Sequence, residues 1–264
     1  MGQRPYTRRG KLVTAMIFFL TALLHTPLYA QGASNFRIAA IIIDPGHGGR
    51  DPGAVSEHVI NGRRQRIQEK DITLNASIML RDMLARTYPG RRILMTREHD
   101  VMTSLEERSG IANAIPSGRN EAVIFISIHT NFASNQNIRG FEVWYLNPEY
   151  RRTVLDESEF SDSPELRSIM NLLAEEVFTV ESIRLAQSML DSLSAAMGNS
   201  IPSRGIKAEE FFVVRHSHMP AVLVELGFIS NRDDAILMTS DAGLRRMVDA
   251  IHKGIVDFVT AFER

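Results

Sequence analysis

Two histidines and a glutamate stand where apolar runs of this chain give out. "AAIIIDPGHGG" ends around His47, "AVIFISIHTN" around His129, and "AVLVELGF" carries Glu225. Apolar runs of this length, bounded by turn residues, read as strands buried on both faces of a largely parallel sheet. In open α/β sheets the ligand crevice lies beyond the carboxyl ends of the strands. Two imidazoles and a carboxylate brought to one sheet edge can serve zinc, which in catalytic sites takes three protein ligands and keeps a fourth position open.

The third ligand is sought in "QEKDITL", where Glu69 sits at the start of a helix. The helix dipole favours a carboxylate there, and from the residues alone Glu69 is either that ligand or an ordinary first-turn glutamate. Asp71 is expected to cap the same helix. Glu225, at the end of a buried strand, is desolvated, which raises its pKa toward neutrality. It is then suited to pass a proton from water to a leaving amine, unless a nearby arginine pairs with it. Gly46, Gly48 and Gly49 around His47 allow positive φ and close backbone approach. "GHGG" lacks the lysine and the spacing of a phosphate-binding loop, which sets nucleotide binding aside. His216 and His218 either line the cleft or are solvated loop residues.

These side chains need a scaffold. "FRIAAIIID", "RRILMTR", "AVIFISIH", "GFEVWYLN", "EFFVVRH" and "AVLVELGF" are expected as strands. Asp71–Leu84, Ser182–Met197 and Leu244–Phe262 carry apolar residues at helical spacing. Ser104 with Glu107 three residues on fits a capping box for a further helix. Strands alternating with helices argue an α/β layered fold. The expectation is one domain over 36–264, with a mostly parallel sheet of about six strands flanked by helices. The stretch from Asn147 to Glu181 breaks the alternation, and residues 149–180 are expected to form a helical insertion. A connection this long inside a compact domain is usually a lid or a mobile loop.

The chain has 264 residues, a net charge of −1 and no cysteine, so disulfides and thiolate metal sites are excluded. No basic stripe or aromatic platform suggests nucleic acid. Residues 1–30 have the layout of a secretory signal peptide: basic Arg4, Arg8, Arg9 and Lys11, apolar Leu12–Leu24, and small Ala30 at the end. The apolar stretch is short for a permanent membrane anchor. Arg8-Arg9 ahead of Gly-Lys-Leu also resembles a twin-arginine signal, so the export route stays open. An exported, periplasmic or envelope protein is expected.

"IIIDPGHGGRDPGA", "EKDITLNASIML", "LMTREHD", "SLEERSGIANA", "FISIHTNFA", "GFEVWYL" and "MPAVLVELGFISN" follow one another here as in the zinc-dependent N-acetylmuramoyl-L-alanine amidases of the type-3 fold. The resemblance runs over about residues 38–264 apart from the insertion. It implies one zinc ion per chain on His47, Glu69 and His129, with Glu225 as the catalytic acid/base. It implies hydrolysis of the amide between N-acetylmuramic acid and L-alanine in peptidoglycan, for wall remodelling or daughter-cell separation. Asn131, and Arg215 near the catalytic run, are candidate substrate contacts. Regulated members resemble this chain in carrying a helical insert whose glutamate takes the open zinc position until an activator with a LytM-like domain moves it. Leu166, Ile169, Met170, Leu173 and Val177 share one helix face. If that face plugs the cleft, Glu176 is the occluding ligand and Glu175 the second choice. Two competing functions are a zinc carboxypeptidase, with Arg97, Arg108 or Arg215 holding a terminal carboxylate, and an inactive wall-binding regulator.

Overall fold

The computed structural model describes residues 36–118, 120–155, 163–198 and 200–264. The expected signal peptide and the acidic part of the insertion at 156–162 lie outside the described residues. Strands β1 (Arg37–Pro45), β5 (Glu121–Asn131) and β8 (Ala221–Phe228) are almost wholly buried. Their uninterrupted apolar runs follow from having side chains packed on both faces. With β4 (Arg92–Met95), β6 (Phe141–Leu146) and β7 (Ser203–Glu209) they form one six-stranded sheet in the order β4-β1-β5-β8-β6-β7. Every ladder is parallel except β6–β8, which is antiparallel. The carboxyl ends of β1, β5 and β8 therefore share an edge with the amino ends of β6 and β7.

Helices α1 (Glu69–Thr87), α3 (Pro164–Met197) and α6 (Asp241–Phe262) cover one face, where Leu80, Leu84, Met189, Leu193, Ile251 and Phe258 meet Ile41, Ile43, Ile124 and Val224. The other face is a smaller layer, in which Ile42, Phe125 and Leu223 pack against Ala112 of α2 (Leu105–Asn113) and Val213 and Val214 of α4 (Phe212–Arg215). Alternation along each strand then puts Asp44, Ser127, His129 and Glu225 on this second face. Helix α5 (Arg232–Thr239) is capped by Asn231, whose side chain accepts from the Asp233 and Asp234 amides. The capping box of Ser104 and Glu107 is present.

Three expectations are corrected, and one element was missed. "EFFVVRH" is not a strand: its Phe212–Arg215 core is a single helical turn, and the strand before it is β7. So short an apolar run has no period that separates strand from helix. Asp71 does not cap α1, which begins at Glu69 after Gln68; the first amides of the helix bond instead to Ala54 O and Pro52 O. The insertion does not carry a helix of its own. Its helical part and Ser182–Met197 are one continuous α3, since no glycine or proline interrupts "EEVFTVESIRLA". A hairpin of β2 (Val55–Ile60) and β3 (Arg63–Gln68) was not expected at all. Its signal was the Asn61-Gly62 pair, with φ of 53° and 76°, which a two-residue primed turn requires.

Candidate metal centre

His47, Glu69 and His129 meet at the sheet edge, each offering one donor atom, all within 4.8 Å of one another. Glu69 projects from the first residue of α1 and bridges the two rings. Its Oε1 lies 2.9 Å from His129 Nδ1 and its Oε2 lies 3.1 Å from His47 Nε2. Backbone amides fix the carboxylate, Thr130 N on Oε1 at 3.0 Å and Ala54 N on Oε2 at 2.8 Å. Burial opposes the charge on Glu69, but the two imidazoles outweigh it and hold the carboxyl well below its usual range.

Asp51 completes the arrangement and was missed by sequence reasoning. Its Oδ2 lies 2.8 Å from His47 Nδ1, while its Oδ1 accepts from Gly53 N. Such an outer carboxylate fixes the ring so that Nε2 faces the ligand position. Burial works against a charged His47, yet Glu69 and Asp51 prevail and keep its pKa raised. Only the "DPG" turn after His47 hinted at Asp51. His47 itself takes φ of 60°, an uncommon region for a residue with a side chain. The glycines beside it are sterically required: a Cβ on Gly46 would stand 2.3 Å from the His129 ring, and one on Gly53 2.6 Å from Glu69 Oε2.

Two imidazoles and a carboxylate that converge in this way fit a metal ion of intermediate softness, as the donor chemistry requires. Glu225 stands directly beside them, in register with His129 on the neighbouring parallel strand. It is buried, and its Oε2 has no hydrogen-bond partner among the described residues. Burial, then the Glu69 and Glu142 charges, push its pKa well above the carboxylate range. Among the described residues, no arginine pairs with it.

The metal position and Glu225 open into a cavity of ≈ 520 Å³ walled by Met102, Leu105, Phe211 and Phe212. At its wall, Arg108 donates to Asp44 Oδ1 (2.6 Å), Pro45 O (2.5 Å) and His47 O (2.5 Å). Arg97 is likewise spent on Pro45 O, Gly46 O, His99 O and Lys70 O. Neither is free to hold a terminal carboxylate.

The chain matches the N-acetylmuramoyl-L-alanine amidase family model over residues 41–257. It belongs to this family. The amidase fold and the hydrolase class follow from that membership. Among curated relatives, the probable N-acetylmuramoyl-L-alanine amidase AmiB of Haemophilus influenzae is 31% identical over 263 residues, 93% of this chain and 56% of that protein. The uncharacterized protein YqiI of Bacillus subtilis is 31% identical over 226 residues, 86% of this chain and 87% of that one. The solved amidase AmiC2 of Nostoc punctiforme superposes with a TM-score of 0.62 at 26% identity, covering 84% of this chain and 97% of that one. This chain thus spans little more than half of the Haemophilus relative.

None of the remaining candidate residues is among those that line the cavity. Glu176 is exposed, and neither it nor Glu175 lines the cavity. Along α3, one continuous helix whose later half is anchored in the core, the apolar row of Leu166, Ile169, Met170, Leu173 and Val177 is exposed. Glu175 is buried against the chain, accepting from Arg152 N at 2.5 Å. Arg215 does not reach the cavity but lies over the Tyr150 and Phe212 rings. His216 stacks on Phe212, and His218 is exposed; neither lines the cleft. Asn131 is held by a bond from Nδ2 to Glu142 Oε2 at 3.2 Å. Glu142, opposite Glu225 on β6, is the buried group that strand-end reasoning overlooked.

Among the described residues, no helix is long and apolar enough to cross a membrane.

Proposed function

We propose that this chain is an exported, zinc-dependent amidase that cleaves the bond between the lactyl carbonyl of N-acetylmuramic acid and the L-alanine nitrogen of the peptidoglycan stem. The observation that carries the proposal is a buried, unpartnered Glu225 beside a His-Glu-His cluster, in a chain of amidase ancestry. His47, Glu69 and His129 would hold one zinc ion. The chemistry such an ion supplies when bound is Lewis acidity toward a water and toward an amide carbonyl.

Glu225 handles the proton. Its unpartnered Oε2 accepts a hydrogen from the attacking water as the new C–O bond forms, and returns it to the alanine nitrogen as the C–N bond breaks. The raised pKa suits both halves of this cycle, because the carboxyl binds the proton firmly enough to deliver it. Asp51 keeps His47 oriented, and the apolar wall of the cavity shields the reacting amide from bulk water. Asn131, pinned by Glu142, is proposed as a substrate contact. The physiological role proposed is wall remodelling or daughter-cell separation. An activator with a LytM-like domain is a proposed partner, which addition of that domain to a wall-digestion assay tests.

Digestion of purified peptidoglycan, with and without chelator, tests the reading. Expected products are uncut glycan strands and free stem peptides with a new L-alanine amino terminus, and no digestion under chelation. New reducing sugar ends, or cuts inside the stem, would assign a different hydrolase.

A further inference from the structure

Arg204 and Lys207 have no part in the proton and metal chemistry, yet they stand beside it. Both converge on one oxygen of Glu142: Arg204 Nε donates to Oε1 at 2.5 Å and Lys207 Nζ at 2.6 Å. The other oxygen accepts from Asn131 Nδ2 and from Trp144 Nε1 at 3.1 Å. Glu142 is only 1% exposed, whereas the two cationic side chains keep 36% and 32% of their surface. Two positive charges on one buried carboxylate leave a net charge of about +1 at a partly open position. Lys207 also sits over the Trp144 ring, and Arg204 over Phe228, which fixes both stems while their remaining N–H groups stay available.

The location gives this charge a use. Glu142 pairs with Glu225 across the antiparallel β6–β8 ladder, so it stands one strand, about 4.8 Å, beyond the proton carrier. Trp144 and Leu223, two residues before Glu225, pack in the same layer, so Glu142 and Glu225 share a sheet face. His129 is on the other side of Glu225. If Glu225 delivers its proton to the leaving amine, a peptide that continues from the metal past Glu225 runs over β6 and β7.

We propose that Arg204 and Lys207, gathered by Glu142, form a carboxylate-binding subsite for the second residue of the peptide stem. The inference rests on the amidase reading above. In such stems the second residue is a glutamate joined through its γ-carboxyl, which leaves its α-carboxyl as a free acid or as an amide. One residue spans at most about 3.6 Å, so this group lies one to two residue lengths from the scissile nitrogen, a reach that matches cations gathered one strand beyond Glu225. A guanidinium fork accepts a carboxylate in two parallel bonds, and an ammonium adds a point charge. A neutral carboxamide gains neither.

The test compares two muramoyl dipeptides that differ only in carrying the acid or the amide at that α-carboxyl. The acid should have at least about tenfold higher kcat/KM with the unmodified enzyme. Arg204→Gln and Lys207→Gln should each reduce that preference, and the double variant should abolish it. Arg204→Lys should restore part of it. Each single variant leaves one cation on Glu142, and melting curves check that the fold survives. Calorimetric binding of the free dipeptides, acid and amide, to the zinc-loaded protein gives a second readout independent of turnover. Equal handling of acid and amide, or a preference that follows the peptide's terminal carboxyl instead, overturns the inference. Failure to cleave either substrate would sink the amidase reading, and the binding preference would then decide the subsite alone.

Discussion

Arg108→Met removes the cation beneath the His47 loop while leaving every proposed ligand side chain in place. Its guanidinium holds Asp44 Oδ1, Pro45 O and His47 O, with its Nε on Thr103 O, and both it and Asp44 are buried. Asp44 keeps only the hydroxyls of Thr96 (2.5 Å) and Ser127 (2.7 Å) once Arg108 is gone. Breaking a buried pair from one side leaves an uncompensated charge and costs about 3–5 kcal/mol. With a urea slope of about 2–3 kcal/mol per molar, the unfolding midpoint of the metal-free protein should fall by roughly 1–2.5 M.

The pH dependence gives a sign. In the native protein burial opposes the Asp44 charge, but Arg108 and the two hydroxyls hold its pKa below the ordinary value. That contribution to stability is present above the unfolded pKa and is lost as pH falls through the folded one. In the variant burial dominates and the folded pKa rises above the unfolded value. The destabilisation is then full at neutral pH and shrinks on acidification toward about pH 4, where unfolded Asp takes up its proton. Adding Asp44→Asn to Arg108→Met should recover much of the loss, a coupling of about 2 kcal/mol or more. A single variant within about 1 kcal/mol of wild type at pH 7, or a loss that grows in acid, would refute the reasoning.

His47→Ala and His129→Ala should each lose stoichiometric zinc by metal analysis after dialysis; zinc retained in both would remove the site. Glu225→Gln should keep zinc while turnover falls by at least about 10², and its unfolding midpoint should not drop, because a buried carboxyl oxygen without a partner is replaced. Asp51→Ala should weaken zinc affinity by about 10–100-fold in a chelator competition, with no change pointing to another group orienting His47. Glu176→Ala should leave wall digestion at the wild-type rate, as its exposed position implies; a rise in activity would show that the insert reaches the cleft.

What the sequence made legible followed from one regularity, that buried parallel strands deliver residues at their carboxyl ends. His47, His129 and Glu225 came out together for that reason, and their order in the sheet agrees with it. Glu69 was not decidable by spacing, because a first-turn glutamate has the same local appearance whether or not it turns toward the sheet. Glu142, Arg204 and Lys207 stayed hidden because β6 runs against β8, which brings amino-terminal strand residues to the same edge. A change of strand direction leaves no mark in an apolar run. Helix α3 was divided because the apolar row Leu166–Val177 and the apolar row of Ser182–Met197 were read as separate elements, while the absence of any breaker between them keeps the helix intact.

Helix α3 spans 34 residues, about 51 Å at the usual rise, but its burial is one-sided along its length. From Glu181 onward Leu185, Ala186, Met189, Leu193 and Met197 are sunk in the core, whereas Leu166, Ile169, Leu172, Leu173 and Val177 are exposed. Most helical stability in proteins comes from packing of an apolar face, which the outer part of α3 largely lacks. Among the described residues, Asn171, whose amide group bonds Arg152 O and Val154 N, and Glu175 on Arg152 N tie the outer half to the preceding segment. Amide exchange along α3 should therefore be graded rather than uniform. Protection near Leu185 should match global unfolding of the domain, drop before Glu175, and approach that of a free peptide at Pro164. One continuous helix would then contain two thermodynamic units, and the division between them would fall where the insertion joins the core.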